Sequence, residues 1–171
     1  MKIVIPYVQL HPKTEAAVLA AADELDEIVW ADVSDSDSAY FQLLQKHWLI
    51  GETFVNLEHD KVPVPGALRE IYDCEFQWCS YPHYAAQGPW IAELPTLGCT
   101  KFGAGVMAKH PDLLERAGRL DVGLGGFHWQ RLDMMISAGL LWALGSCHTH
   151  EAGRLDHHHQ GEAVSVPIRP S

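Results

Sequence analysis

Thr53-Phe54-Val55-Asn56-Leu57-Glu58-His59-Asp60 reads as a short buried strand that stops abruptly in two carboxylates flanking an imidazole. Upstream, Lys2 to Val8 is an apolar run rich in β-branched residues, and Glu27 to Ala31 (EIVWA) is a second such run. Both predict strands. Helical periodicity fills the gaps between them. One helix is expected from Thr14 to about Glu24, with Thr14 as N-cap and Glu15 in its first turn. Another is expected over Ala39 to Trp48, with Tyr40, Leu43, Leu44 and His47 at helical spacing and Gly51 as terminator. Asp32-Val33-Ser34-Asp35-Ser36-Asp37-Ser38 is a polar loop. The opening of the chain thus alternates strand, helix, strand, helix, strand, acidic loop. Such alternation with short connections indicates βαβ units, hence an α/β fold with a parallel sheet. Ligands of such sheets bind outside the carboxyl ends of the strands. Pro6-Tyr7 with Gln9, the Asp32 to Asp37 loop and Glu58-His59-Asp60 all fall there.

The second half is less regular. Pro63 and Pro65 precede a helix from about Gly66 to Tyr72, and Cys74 to Tyr84 (CEFQWCSYPHY) predicts an irregular aromatic loop. Leu97 to Val106 reads as a strand and turn, and Pro111 opens a short helix to about Ala117. Gly123 to Gly126 is glycine-rich. A longer helix is expected from Gln130 to Leu144, ended by Gly145, and Cys147-His148-Thr149-His150 reads as a strand. We expect one domain over residues 1–159 and an extended tail over 160–171, which contains two prolines.

Composition narrows the function classes. The chain has 171 residues, 47% apolar and 20% charged, which is globular rather than disordered. Its formal charge is −10, which disfavours broad electrostatic binding to duplex nucleic acid. Met134 to Leu144 is too short to span a bilayer, which takes about 20 residues. Pro6 interrupts the N-terminal apolar run, and no small-residue cleavage site follows, so that run is a strand rather than a signal peptide. A cytoplasmic location and reduced thiols at Cys74, Cys79, Cys99 and Cys147 are the expectation. Six of the 11 histidines lie between His128 and His159.

Four constellations carry chemistry. Glu58 and Asp60 alternate, so in an extended segment they face the same way and can share one cation; hard oxygen donors suit Mg²⁺ or Mn²⁺. A solvated acidic loop is the alternative. His148 and His150 also share a strand face, and His157, His158 and His159 follow. Imidazoles at such density suit transition ions, but for His158 and His159 a surface tract is the favoured reading, and His157, nearer the folded body, is the better ligand candidate. Cys74 and Cys79 have no partner pair at finger spacing downstream, which disfavours a zinc finger. Asp133, in Trp129-Gln130-Arg131-Leu132-Asp133, is either a general base at a pocket or a residue that satisfies a helix dipole. Trp78, Tyr81, Tyr84, Trp90, Phe127 and Trp129 supply aromatic surface, one or two for a ligand and the rest for packing. No GxGxxG, Walker, GxSxG or HExxH motif is present.

The order of these features resembles the nucleotide-sugar half of GT-A glycosyltransferases of the family 2-like type. The chain is similar to small glycosyltransferase-like proteins of phages and actinobacteria. Its matching segments are Glu58-His59-Asp60, Trp78-Cys79, Gly98 to Phe102, Trp129 to Asp133, and the late His148-Thr149-His150 with the histidine tail. The resemblance implies a Rossmann-like GT-A fold with a mostly parallel sheet flanked by helices and a minimal acceptor region. It implies transfer of a sugar from a UDP- or GDP-linked donor to a hydroxyl on a glycan, protein or modified nucleobase. Glu58 and Asp60 stand where that family places its D-x-D motif, and so would hold Mn²⁺ or Mg²⁺, with Asp60 the direct ligand. His150 and His157 are the candidates to complete the metal shell. Pro6, Tyr7 and Asp32 match positions lining the nucleobase and ribose pocket, and Asp133 matches the acidic residue that takes the acceptor's proton. Two other readings remain: a metal-dependent hydrolase or nucleotidyltransferase, and a non-catalytic nucleotide-sugar-binding accessory protein of a phage.

Overall fold

A continuous run of β-branched residues, Ile3-Val4-Ile5, lets Lys2–Tyr7 form a strand, β1, that is buried on both faces. The computed structural model describes residues 1–84, 93–118, 129–151 and 153–158, with only the backbone described at 83, 84, 93, 94, 129–131, 133 and 134. Helix α1 (Pro12–Ala20) follows, then a 3₁₀ turn (Ala22–Glu24), strand β2 (Glu27–Asp32) and helix α2 (Ala39–Ile50). Strand β3 (Phe54–Leu57), the short strand β4 (Lys61–Pro63) and helix α3 (Ala67–Asp73) complete the first half. Helix α1 starts earlier than predicted. Pro12 occupies its first turn, where a missing N–H does no harm, and His11 rather than Thr14 caps it, accepting from the Lys13 N–H through Nδ1 at 3.3 Å. Thr14 is instead buried within the helix. Gly51 ends α2 in the left-handed conformation (φ 77°), as its position predicts.

Downstream come β5 (Trp78–Ser80), a two-residue pair β6 (His83–Tyr84) and β7 (Glu93–Leu94), and β8 (Cys99–Phe102). Helices α4 (Ala104–Lys109), α5 (Leu113–Gly118) and α6 (Trp129–Leu144) follow, then β9 (His148–Thr149) and β10 (Leu155–His157). The segment expected to be an irregular loop therefore contains β5, a fully buried strand. Three residues carry too little periodicity to announce themselves; pairing with β8 makes the strand (Trp78 opposite Phe102, Cys79 opposite Lys101). Gly123 to Gly126, Trp90, Phe127 and residues 159–171 lie outside the described residues.

The main sheet has the order β2-β1-β3-β8-β5-β9. β1 runs parallel to β2 and β3; β8 is antiparallel to both its neighbours; β9 is parallel to β5. One strand, β8, is thus reversed in an otherwise co-directional Rossmann-like α/β sheet. Each face has its own core. Ile3 and Ile5 of β1 and Val55 and Leu57 of β3 pack with Val18 of α1 and Leu68 and Ile71 of α3. Val4, Phe54 and Phe102 face the other way, onto Leu44 and Trp48 of α2, Met107 of α4, Leu114 of α5 and Ile136 of α6. Burial of each such side chain contributes about 1.5–3 kcal/mol, so the two-faced burial holds the sheet between two helical layers. At one point α6 needs a glycine: a Cβ on Gly139 would sit 2.6 Å from the Ala117 Cβ of α5.

His47 of α2 is buried against Phe54, and its Nε2 has no hydrogen-bond partner among the described residues. Burial, helped by Lys2 and Lys46, pushes its pKa below the ordinary imidazole value. On acidification the unfolded chain therefore takes up a proton that the native state refuses, so stability falls as pH drops below about 6.5. We expect His47→Gln to flatten the decline of the melting temperature between about pH 7.5 and 5.5. A decline of unchanged steepness in that variant would remove His47 as a cause.

Candidate active site at the carboxyl ends of the parallel strands

Parallel pairing sets the ends of β2, β1 and β3 side by side, about 4.8 Å apart. Tyr7 lies opposite Asp32 in register, and the Val33 N–H donates to the Tyr7 carbonyl at 2.9 Å. Pro6 is buried and Tyr7 half-buried at this edge. Asp32 is exposed and accepts the Ser34 N–H at 2.9 Å, a local turn in which the side chain mimics backbone. Hydrogen bonds from the Ser34 side chain and backbone hold its carboxyl below the usual value.

After β3 the chain does not stay extended. The Lys61 N–H donates to the Glu58 carbonyl at 3.1 Å, closing a turn over residues 58–61. The alternation that would aim Glu58 and Asp60 the same way therefore does not operate, and each carboxylate has its own partners. Tyr40 of α2 donates to Glu58 Oε1 at 3.3 Å and is itself a partner of Asn56 Nδ2 at 2.8 Å. Asn56 Nδ2 also donates to the Leu97 carbonyl at 2.6 Å, and the Glu58 N–H donates to the Gly98 carbonyl at 2.8 Å. A Cβ at Gly98 would lie 2.8 Å from Lys61 Cε, so a side chain there would make the lysine shift.

Asp60 meets the end of the chain. β10 pairs antiparallel with β4, placing His157 opposite Lys61, and His157 Nε2 donates to Asp60 Oδ2 at 2.9 Å. The Lys61 ammonium lies 3.7 Å from Asp60 Oδ1. Burial acts to raise the Asp60 pKa, but the His157 hydrogen bond and the charges of Lys61, His157 and His59 outweigh it and hold the carboxyl well below its usual range. The backbone closes the same knot: the His158 N–H donates to the Asp60 carbonyl at 2.9 Å and the His11 N–H to the His59 carbonyl at 3.3 Å. The rings of His11 and His158 stack with centroids 4.9 Å apart. His158, expected on a surface tract, is buried. Burial comes first among the causes that lower the pKa of both His59 and His158.

Of the sequence-predicted residues, Asp60 and His157 are in contact, and Pro6, Tyr7, Asp32 and Glu58 occupy the same row of strand ends. His150 is not among them. It follows β9, at the far edge of the sheet, where its Nδ1 lies 3.4 Å from Glu70 Oε1. Asp133 lies on the backbone of α6, and its side chain is outside the described set. Trp78 and Tyr81 are core residues, with the Tyr81 hydroxyl donating to the Ala67 carbonyl at 2.9 Å. Sequence reading missed Tyr40, Lys61 and His11. Lys61 directly follows the acidic triplet, and Asn56 is a polar residue inside an apolar strand; both were signals. Asp60 Oδ1 is buried and, among the described residues, has no hydrogen-bond donor. Such an oxygen, with the imidazole of His157 beside it, fits a hard divalent ion. A groove lined by Phe76, Gln77, Lys109 and His148 lies at the opposite, amino end of β5 and is separate from this site.

No family model matches the chain, and no curated protein matches it. Solved structures do resemble it. One is the crystal structure of a glycosyltransferase involved in the glycosylation of the major capsid of PBCV-1, with TM-score 0.51 and 11% identity over 88% of this chain and 81% of that one. Another is the A197 protein from STIV, with TM-score 0.51 and 12% identity over 92% of this chain and 85% of that one. At such identities the likeness is one of fold: this Rossmann-like α/β architecture also serves a glycosyltransferase. Among the described residues no helix is long and apolar enough to cross a membrane.

Asp60→Asn keeps the shape and removes the charge that His157 addresses. We expect a loss of about 1.5–3 kcal/mol near pH 7 in denaturant unfolding, the worth of a hydrogen bond to a charged group. A carboxyl whose pKa is depressed on folding stabilises above its unfolded value and loses that contribution as pH falls toward the folded one. The gap between the two proteins should therefore close below about pH 4. A gap that is constant down to pH ~3 would count against the charged pairing.

Proposed function

We propose that the chain is a metal-dependent glycosyltransferase that moves a sugar from a UDP- or GDP-linked donor to a hydroxyl acceptor. The observation that carries this reading is Asp60 Oδ1, which is buried beside His157 after β3 and, among the described residues, has no hydrogen-bond donor and only the Lys61 ammonium at 3.7 Å. It gains support from the fold shared with a glycosyltransferase. In this reading Pro6, Tyr7 and Asp32 line the nucleobase and ribose side of the donor, because the end of β1 lies between those of β2 and β3. Asp60 and His157 hold Mn²⁺ or Mg²⁺, with Glu58 as a further carboxylate at the same edge. When bound, that ion supplies positive charge to the departing diphosphate.

The chain's own residues do the rest. Lys61 adds a fixed positive charge next to Asp60. Asp133 takes the proton from the acceptor hydroxyl. The acceptor oxygen then bonds to the anomeric carbon, the bond from that carbon to the diphosphate oxygen breaks, and the nucleoside diphosphate leaves with the electron pair. A glycan, a protein or a modified nucleobase can each offer such a hydroxyl.

Thermal shift with a panel of UDP- and GDP-sugars, with and without Mn²⁺, tests the donor site. Binding to the native state must raise its melting temperature. We expect a metal-dependent rise with at least one donor, absent in Asp60→Asn. No metal-dependent rise with any nucleotide sugar would overturn the reading. Release of nucleoside diphosphate in the presence of a mixed glycan acceptor then separates transfer from the alternatives. Free sugar as the sole product would mean hydrolysis, and binding without turnover would mean a non-catalytic module. Asp133→Asn should leave the thermal shift intact and lower turnover about 10²–10⁴-fold.

A further inference from the structure

We infer that Cys74, His148 and His150 form a second metal site, of the zinc class, that pins the edge strand β9 to the end of α3. One ligand atom from each residue lies within 4.8 Å of the other two. Tetrahedral zinc with bonds of about 2.0–2.3 Å sets neighbouring ligand atoms about 3.4–3.6 Å apart, so small side-chain rotations close the cluster. A thiolate with two imidazoles is a borderline-to-soft donor set. It selects zinc over the hard ions suited to Asp60.

His150 supplies the independent observation. Its side chain is 9% exposed, its Nδ1 is held 3.4 Å from Glu70 Oε1, and its Nε2 is buried with no hydrogen-bond partner among the described residues. A carboxylate on one nitrogen orients the ring and leaves the other nitrogen as a lone-pair donor, the usual outer arrangement of a metal-bound histidine. Glu70 is itself fixed by Arg154 Nη2 at 2.9 Å. His148 stacks on Phe76 at 4.2 Å and meets His150 edge-on at 5.0 Å, so both rings have settled orientations. A buried imidazole nitrogen without a partner is destabilising; a bound cation removes that penalty.

The charges balance. The Lys101 ammonium donates to the Cys74 carbonyl and so places one positive charge nearby. On binding, the Cys74 thiol releases its proton to solvent, and the thiolate with the Glu70 carboxylate offsets Lys101 and part of the dication. A fourth position is open to water. The site also meets a mechanical need. β9 is only two residues long and sits at the sheet edge. Backbone pairing alone holds such a strand weakly.

The test uses the full chain, stripped with a chelator and titrated with Co²⁺ and then Zn²⁺. We expect a thiolate-to-cobalt charge-transfer band that saturates at one equivalent, is displaced by zinc, and accompanies a rise in melting temperature. Cys74→Ser should abolish the band, and His148→Ala should weaken zinc binding at least tenfold. Glu70→Gln should weaken it about 10–100-fold. Asp60→Asn, by contrast, should leave the band and its stoichiometry unchanged, which separates this site from the glycosyl-transfer reading. Absence of the band in folded wild-type protein would overturn the inference. So would its persistence in Cys74→Ser, or metal binding that follows His157 to His159 rather than Cys74. Should Cys74→Ser fail to fold, His148→Ala decides alone, and unchanged affinity there overturns the site.

Discussion

A carboxylate that is mostly withdrawn from water must find partners or lose its charge. Asp60 finds them in a residue 97 positions away, through the hydrogen bond from His157. Charge-assisted bonds of this kind are about twice as strong as neutral ones. The contact exists only because β10 returns antiparallel along β4, and β4 begins only because the chain turns sharply after β3. Two backbone bonds, from His158 and from His11, lock the same turn from opposite flanks. Helix α1, with its cap at His11, and the late histidine segment thus depend on one another through a loop that belongs to neither.

The reversed strand β8 supplies the second constraint. It enters next to β3 at Cys99 opposite Leu57, which lays Gly98 directly against the Glu58 backbone. A side chain at residue 98 would displace Lys61, so the missing Cβ and the position of the buried ammonium are one fact. The same strand places Lys101 on the α3 side of the sheet and Thr100 and Phe102 on the other. Its alternation therefore sets Cys99 in the α3-side core with Cys79, and Phe102 in the cluster with Phe54 and Trp48 on the other face.

The first half of the fold was legible because each element there is long enough to display its period. β1, β2 and α2 bury apolar residues in patterns that sequence spacing reveals, and Gly51 marks a boundary by its backbone chemistry, whereas the start of α1 at Pro12 was read too late, at Thr14. The strand ends bearing Tyr7, Asp32 and Glu58 follow from that topology alone. β9 falls within the strand read at Cys147 to His150, but β5 and β10 are only three residues long and carry no periodic signal. Their existence rests on partners far away in sequence. Hence Trp78-Cys79 was legible as a motif and not as a strand, and His158 looked like surface although a stacked His11 buries it. The turn at 58–61 escaped for a related reason: alternation predicts direction only while the backbone stays extended.

The late segment from β9 to β10 ties these observations together. It contains no helix, and its strands are too short to fix themselves, yet it must set His157 against Asp60 within hydrogen-bond distance. Side chains provide the fixing. His150 rests on Glu70, Arg154 pairs with the same Glu70, and the Val64 N–H donates to the Arg154 carbonyl at 3.1 Å. Helix α3, which carries Glu70 and ends at Cys74, therefore acts as the template on which the segment is laid. The position of His157 at the strand-end site is then a consequence of contacts made at the far edge of the sheet. A change at Glu70 or His150 should be felt at Asp60 through backbone placement rather than through charge, because the intervening connection is a chain of short, directional contacts.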